Sequence, residues 1–325
     1  MYYIYLLYLC TVINPNSEQM TIKFTKMHGC GNDYVYINCF EQHIAEPEKL
    51  SEYVSDRHFG VGSDGLVLIM PSETCDFRMR MFNADGSEAQ MCGNASRCVA
   101  KYCYDHKLTS KKEFTLETLA GVKILKVFTY GDLGEAVQGT AAADKVAKVT
   151  VNMGQPILKP AEIPVAPLCP PKGGMMDPDR CVSVDLGLPA VEGVDTRCTA
   201  VSMGNPHAIY FVDSLDRVEQ LPLEQFGPSY EHHEAFPARV NSEFVYVIDR
   251  NHARMRVWER GSGETWACGT GSCATLVACV LNGKTDRHIT LDLNGGSLDL
   301  LWDEETNCIF MTGPATEVFS GILNY

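Results

Sequence analysis

The sequence predicts an α+β fold built from two similar halves. Two observations carry this. Segments alternating at the strand period outnumber segments with a helical period. Two separate motifs also recur at almost one distance. Met27 followed by Gly31-Asn32-Asp33-Tyr34 returns as Met203-Gly204-Asn205-Pro206-His207, which sets Asn32 and Asn205 173 residues apart. Gly86-Ser-Glu-Ala-Gln-Met-Cys92-Gly93 returns as Gly263-Glu-Thr-Trp-Ala-Cys268-Gly269, which sets the cysteines 176 apart. Such agreement marks an internal repeat. The halves fall at about 20–144 and 145–313, each presenting a Cys-Gly at the start of a helix.

The strand expectations are Thr21 to Met27, Leu66 to Met70, Cys75 to Phe82, Phe114 to Leu119, Val122 to Tyr130, Lys148 to Met153, Glu243 to Ile248, Ala253 to Trp258 and Ser297 to Trp302. Helices are expected over Lys49 to Arg57, Gly93 to His106 and Gly271 to Leu281, the last stopped by Asn282-Gly283. Pro160, Pro164, Pro167, Pro170, Pro171 and Pro178 mark a long surface connection. Residues 1–19 are apolar at first, with no preceding basic residue and too short a run to cross a bilayer, so they read as an N-terminal extension without function.

Composition narrows the function classes. With 45% hydrophobic and 21% charged residues the chain matches an ordinary globular protein. A formal net charge of -14 and the lack of a basic stripe argue against nucleic acid as a partner. Fourteen cysteines without a C-x-x-C read as reduced thiols of a cytoplasmic enzyme, with no membrane association expected. The Cys98/Cys103 and Cys268/Cys273 spacings fall in the range of zinc ligands. Five residues along one helix, however, turn Cys98 and Cys103 about 140° apart.

Two glycine patterns imitate a dinucleotide loop. Gly60-Val-Gly62-Ser-Asp-Gly65 has a helix before it and a strand after it, the reverse of what the motif needs. Gly269-Thr-Gly271-Ser-Cys-Ala274 opens a helix, with Asp292 suitably downstream, and makes a nicotinamide-dependent oxidoreductase the competing reading. Against it, Gly261 to Thr265 separates strand from helix, and the twin at Cys92 lacks the second glycine.

The paired Cys-Gly motifs suit another chemistry. Inverting an amino-acid α-carbon requires a base, an acid and donors aimed at the adjacent carboxylate, into which the negative charge spreads. A helix N-terminus offers free N–H groups and lowers the pKa of a thiol placed there. Cys92 and Cys268 are thus expected as an acid/base pair on opposite faces of one carbon. Asn83 and Asn205 are candidate site residues beside turns, and His207 is a candidate for tuning a thiol.

Read together, Gly29-Cys-Gly-Asn-Asp33, Phe82 through Asn94, Gly204-Asn-Pro-His207 and Trp258-Glu-Arg-Gly-Ser-Gly-Glu-Thr-Trp-Ala-Cys-Gly-Thr-Gly271 closely resemble diaminopimelate epimerases, from Met20 to the end. The resemblance implies two pseudo-symmetric domains, each a β-barrel-like sheet around a central helix, with the last strand, 314–325, returning to the first domain. It implies a homodimer, diaminopimelate as substrate, and neither metal nor organic cofactor. Cys92 and Cys268 would be the acid/base pair. Amides of Gly93, Asn94, Gly269 and Thr270 would hold the reacting carboxylate, with Asn32 near the reacting amine. Asn83, Asn205, Asn241, Glu259 and Arg260 would grip the distal centre, and His207 and Glu259 would tune the thiols. Two departures stand out: many members have Gln where this chain has Gly65, and several have a Tyr tied to the dimer contact where it has Phe319.

Overall fold

The computed structural model describes residues 20–134, 143–166 and 177–325. The expectation for residues 1–19, and Pro167, Pro170 and Pro171 of the proline-rich connection, lie outside the described residues.

The strand order in the two halves is the same. In the first, Thr21–Gly29 pairs antiparallel with Asn32–Asn38, which runs parallel to Gly65–Met70. Phe77–Asn83 follows antiparallel, Glu113–Thr118 parallel, then Gly121–Thr129 and Val146–Gly154 antiparallel. In the second half, Val194–Ser202, Pro206–Val212, Asn241–Asp249, His252–Glu259, His288–Leu293, Gly296–Trp302 and Ile309–Pro314 repeat that sequence of senses. The equivalent strands Val146–Gly154 and Ile309–Pro314 pair with each other and join the halves in one hydrogen-bonded sheet. Thr316–Asn324 then pairs with Thr21–Gly29, back in the first half.

Each parallel pair needs a crossover, and helices supply it. Pro47–Ser55 links Asn32–Asn38 to Gly65–Met70, while Leu215–Gln220 and Leu223–Glu231 link Pro206–Val212 to Asn241–Asp249. These helices cover the outer faces, over Leu50, Val54 and Phe82 in one half and over Tyr210, Tyr230 and Phe244 in the other.

The remaining long helices, Gly93–Asp105 and Gly269–Leu281, are central. Twelve of thirteen residues are buried in the first and ten of thirteen in the second. A surface helix keeps a polar face; these do not. Cys98 and Cys103 are both buried inside the first helix, where burial holds the Cys98 thiol up at about 11.

The expected helices appear with ends moved by one or two residues, as fraying and capping allow. The sequence places a strand after each Asn32 and Asn205 motif without bounds, here Asn32–Asn38 and Pro206–Val212, and gives none for Val194–Ser202. These strands are buried on both faces in parallel or central positions, so they lack the alternation that marks a half-exposed strand.

Candidate active site

The two central helices meet end to end across the junction. A Cβ added at Gly269 would lie 3.7 Å from the Gly93 Cα. Both first turns open on a cavity of about 1390 Å³ between the halves. Each helix follows a short hairpin strand, Glu88–Ala89 or Gly263–Thr265, and has its cysteine as the extended N-cap residue. The first amides of a helix have no partner within it. Those of Gly93, Asn94, Gly269 and Thr270 thus stand beside the cavity as donors.

The sequence-derived residues Asn32, Asn83, Cys92, Gly93, Asn94, Asn205, Glu259, Arg260, Cys268, Gly269 and Thr270 all line this cavity. The Cys92 thiol faces the Asn32 Oδ1 at 3.4 Å. Asn32 is fixed by donating from Nδ2 to Asp64 Oδ2 at 2.9 Å, and Asp64 is in turn paired with Arg57. The Cys268 sulfur accepts from the Gly271 amide at 3.4 Å and lies 3.6 Å from the Thr270 hydroxyl.

The amides of a helix N-terminus favour a thiolate, while burial disfavours it. Here burial dominates and pushes both thiols up, against the expectation from sequence. The Asn94 and Ala95 amides partly offset this at Cys92. At Cys268 the nearby Glu259 and Glu243 carboxylates add to the rise. Burial also raises the Glu259 carboxyl, whose oxygen accepts from the Thr265 hydroxyl.

Two of the expected residues stand behind the cavity and not on its wall. His207 is fully buried behind the cavity, with Nδ1 2.7 Å from Glu243 Oε1 and Nε2 3.0 Å from Asn205 Oδ1. Asn241, expected to grip the substrate, is buried, and both ends of its amide are used. Its Nδ2 donates to the Pro206 carbonyl and its Oδ1 accepts from the Arg260 amide. It therefore shapes the loop that carries Arg260. Arg260 is an exposed residue of the cavity lining; its guanidinium donates to the Ala238 carbonyl and forms no ion pair among the described residues.

Sequence reasoning missed Glu243, Asp64 and Thr265. Glu243 stands two residues after Asn241 on one strand, hence on the same face; that alternation was the available signal. Atoms of His207, Glu243 and Cys268 lie within 4.8 Å of one another. Gly271 is required by this packing, since a Cβ there would sit 2.5 Å from Glu243 Oε1 and 3.2 Å from the Cys268 sulfur. The dinucleotide-like glycines at 269–271 thus have a local steric cause.

Gly65 is likewise closed to larger residues. A Cβ there would lie 2.0 Å from the Phe82 carbonyl oxygen and 2.9 Å from the Tyr34 ring. Gly65→Gln is expected to lower stability by about 2–4 kcal/mol through backbone displacement. Thermal unfolding measures this, and an unchanged midpoint would show that the strand shifts freely.

Comparison with known proteins agrees with this arrangement. The family model described as diaminopimelate epimerase matches residues 24–158 and 199–318. The diaminopimelate epimerase of Agathobacter rectalis is 54% identical over 300 residues, covering 92% of this chain and 98% of that protein. Those of Acetivibrio thermocellus and Methanococcus maripaludis are 52% and 51% identical over 300 residues, each match covering 92% of this chain and 98% and 99% of theirs. Among solved structures, a PhzF-family phenazine biosynthesis protein from Bacillus anthracis superposes with a TM-score of 0.64 at 17% identity, covering 94% of this chain and all of that one. A hydroxyproline epimerase from Agrobacterium vitis gives 0.58 at 13% identity, covering 93% and 91%. These two establish the shared fold alone. With both Cys-Gly turns lining one cavity and the family model spanning both halves, this chain belongs to the diaminopimelate epimerase family.

Proposed function

We propose that this isomerase converts LL-2,6-diaminopimelate to the meso isomer by a two-base mechanism. The observation that carries the reading is the pair of cysteines capping two helices that meet head to head over one cavity. One sulfur, as thiolate, removes the α-proton. The electron pair spreads into the carboxylate, which the amides of Gly93, Asn94, Gly269 and Thr270 stabilise. The other thiol then delivers its proton to the opposite face, leaving the thiols in exchanged states. No step requires a metal or an organic cofactor. Asn32 lies beside Cys92, where the reacting amine would sit. Asn83, Asn205, Glu259 and the unpaired Arg260 face the distal aminocarboxylate, with Arg260 suited to a bidentate carboxylate bond. His207, held by Glu243, and Glu259 tune the Cys268 side.

We assign the first domain to 20–154, ending on Val146–Gly154 rather than before it, plus the returning strand 314–325, and the second to 155–313. A homodimer fits the apolar Val318, Phe319 and Ile322, exposed on the returning strand. The setting is cytoplasmic supply of lysine and cell-wall precursors. No helix among the described residues is long and apolar enough to cross a membrane.

The direct test is purified protein with LL-diaminopimelate, without added metal, pyridoxal phosphate or nicotinamide, scored for the meso isomer. No conversion would refute the reading. In D2O the product is expected to carry deuterium at the inverted carbon while unreacted substrate stays unlabelled early. Product retaining the original hydrogen would indicate a single base.

Mild oxidant is expected to inactivate by joining Cys92 to Cys268, which needs Cβ atoms about 3.5–4.5 Å apart. Substrate should slow the inactivation and dithiothreitol reverse it. Non-reducing peptide mapping checks this, and separate sulfinic acids at both cysteines would rule out facing sulfurs.

A further inference from the structure

Arg97 lies one turn into the first central helix and is fully buried. A buried guanidinium normally has a carboxylate partner, because an unpaired charge in the interior is costly. Among the described residues no Asp or Glu pairs with Arg97. Its Nε donates to the Pro314 carbonyl at 3.1 Å and its Nη2 to Asn94 Oδ1 at 2.8 Å. Its other contacts are sulfurs, Met311 Sδ and Cys30 Sγ, both at 3.7 Å and both weak acceptors. The chain makes room for it: a Cβ at Gly29 would approach Nη2 to 2.9 Å, and one at Gly313 would approach Nε to 3.1 Å.

The Asn94 contact leads to both thiols. Because Asn94 Oδ1 accepts from Arg97, its Nδ2 is turned to donate to the Ala267 carbonyl at 3.3 Å and to Asn32 Oδ1 at 3.5 Å. Asn32 Oδ1 is the atom that faces the Cys92 thiol, and Ala267 directly precedes Cys268. One amide, oriented by one guanidinium, thus ties the two cysteine turns together across the junction.

We propose that Arg97 is a positioning residue for the epimerisation: its guanidinium locks the Asn94 amide that registers Cys92 against Cys268, and its uncompensated charge backs the amides that receive the substrate carboxylate. This rests on the two-thiol reading given above. A fixed positive charge held behind the two cysteine turns favours an anion between them. The same charge works against the larger effect of burial at Cys92. Other groups acting on these sites are Glu259, which opposes it at Cys92, and the buried thiols of Cys30, Cys98 and Cys273 around the guanidinium.

The test compares Arg97→Met and Arg97→Lys with wild type in two readouts: diaminopimelate kinetics, and the pH dependence of iodoacetamide alkylation at Cys92, followed by peptide mass spectrometry. Arg97→Met is expected to lower kcat by roughly 10²-fold, the scale for a misplaced acid or base, with KM changed far less. Its Cys92 alkylation at neutral pH should fall, because a positive charge that favours the thiolate is removed. Arg97→Lys keeps the charge without the fork, so the alkylation profile should stay within about twofold of wild type while kcat still falls roughly tenfold. A folded Arg97→Met with wild-type kcat and alkylation profile would overturn the proposal. If Arg97→Met does not fold, Arg97→Lys decides, and a wild-type kcat there would overturn the lock. Alkylation is read without turnover. Failure of wild type to convert diaminopimelate would therefore count against the proposed reaction, while the alkylation arm still judges Arg97.

Discussion

Replacing either Cys92 or Cys268 by Ala is expected to cut epimerisation by at least roughly 10²-fold, the usual scale for losing a positioned acid or base. The two losses should be alike, because each sulfur serves as base in one direction and acid in the other. Cys98, Cys103 and Cys273 are buried within the helices and do not line the cavity, so their Ala variants should retain turnover with some loss of stability. A well-folded Cys273→Ala as inactive as Cys268→Ala would place the chemistry on a different sulfur. The pH dependence has a definite sign. Burial raises both thiols above their ordinary value, so the thiolate is the scarce form at neutral pH and kcat/KM should climb between pH 7 and pH 9. A flat profile over that interval would mean that a thiolate is already formed at pH 7.

Arg260→Met is expected to abolish measurable diaminopimelate turnover. Among the described residues the guanidinium has no carboxylate partner, and the substrate's distal carboxylate would complete it with two parallel hydrogen bonds. A second aminocarboxylate separates diaminopimelate from ordinary amino acids, so wild type should leave lysine unchanged. The loss should appear as both a raised KM and a lowered kcat, since remote binding holds the reacting carbon between the thiols. Steady-state kinetics with diaminopimelate, lysine and proline measures this. Comparable rates on lysine or proline would show that the distal grip does not set specificity.

Asn241 and His207 show where sequence reasoning reaches its limit. The Asn-Pro turn marks His207, whereas Asn241 is marked by the family resemblance alone. Yet a sequence does not say which side of a strand meets the cavity and which meets the next layer. In the folded chain both are buried behind the cavity, where one supports the Arg260 loop and the other pairs with Glu243. Asp64 was passed over within a discarded glycine pattern, although its carboxylate holds Asn32 in place. Arg97 carries no signal in the sequence, because its meaning lies in having no carboxylate partner among the described residues, which only the folded chain reveals.

By itself the sequence determined the twofold plan, a helix after each Cys-Gly and the two cysteines that cap them. These follow from local patterns: the internal repeat, the helical run after each Cys-Gly, and the glycines that allow sharp entry turns. Tertiary structure decided the rest. The pairing of Val146–Gly154 with Ile309–Pro314 and the return of Thr316–Asn324 to Thr21–Gly29 join the halves, and that meeting brings Cys92 and Cys268, 176 positions apart, to one cavity. It also reversed the expected direction of the thiol pKa values. A helix N-terminus is a local feature that sequence can reveal, whereas desolvation is a sum over every atom packed around the sulfur and exists only once the chain has closed on itself.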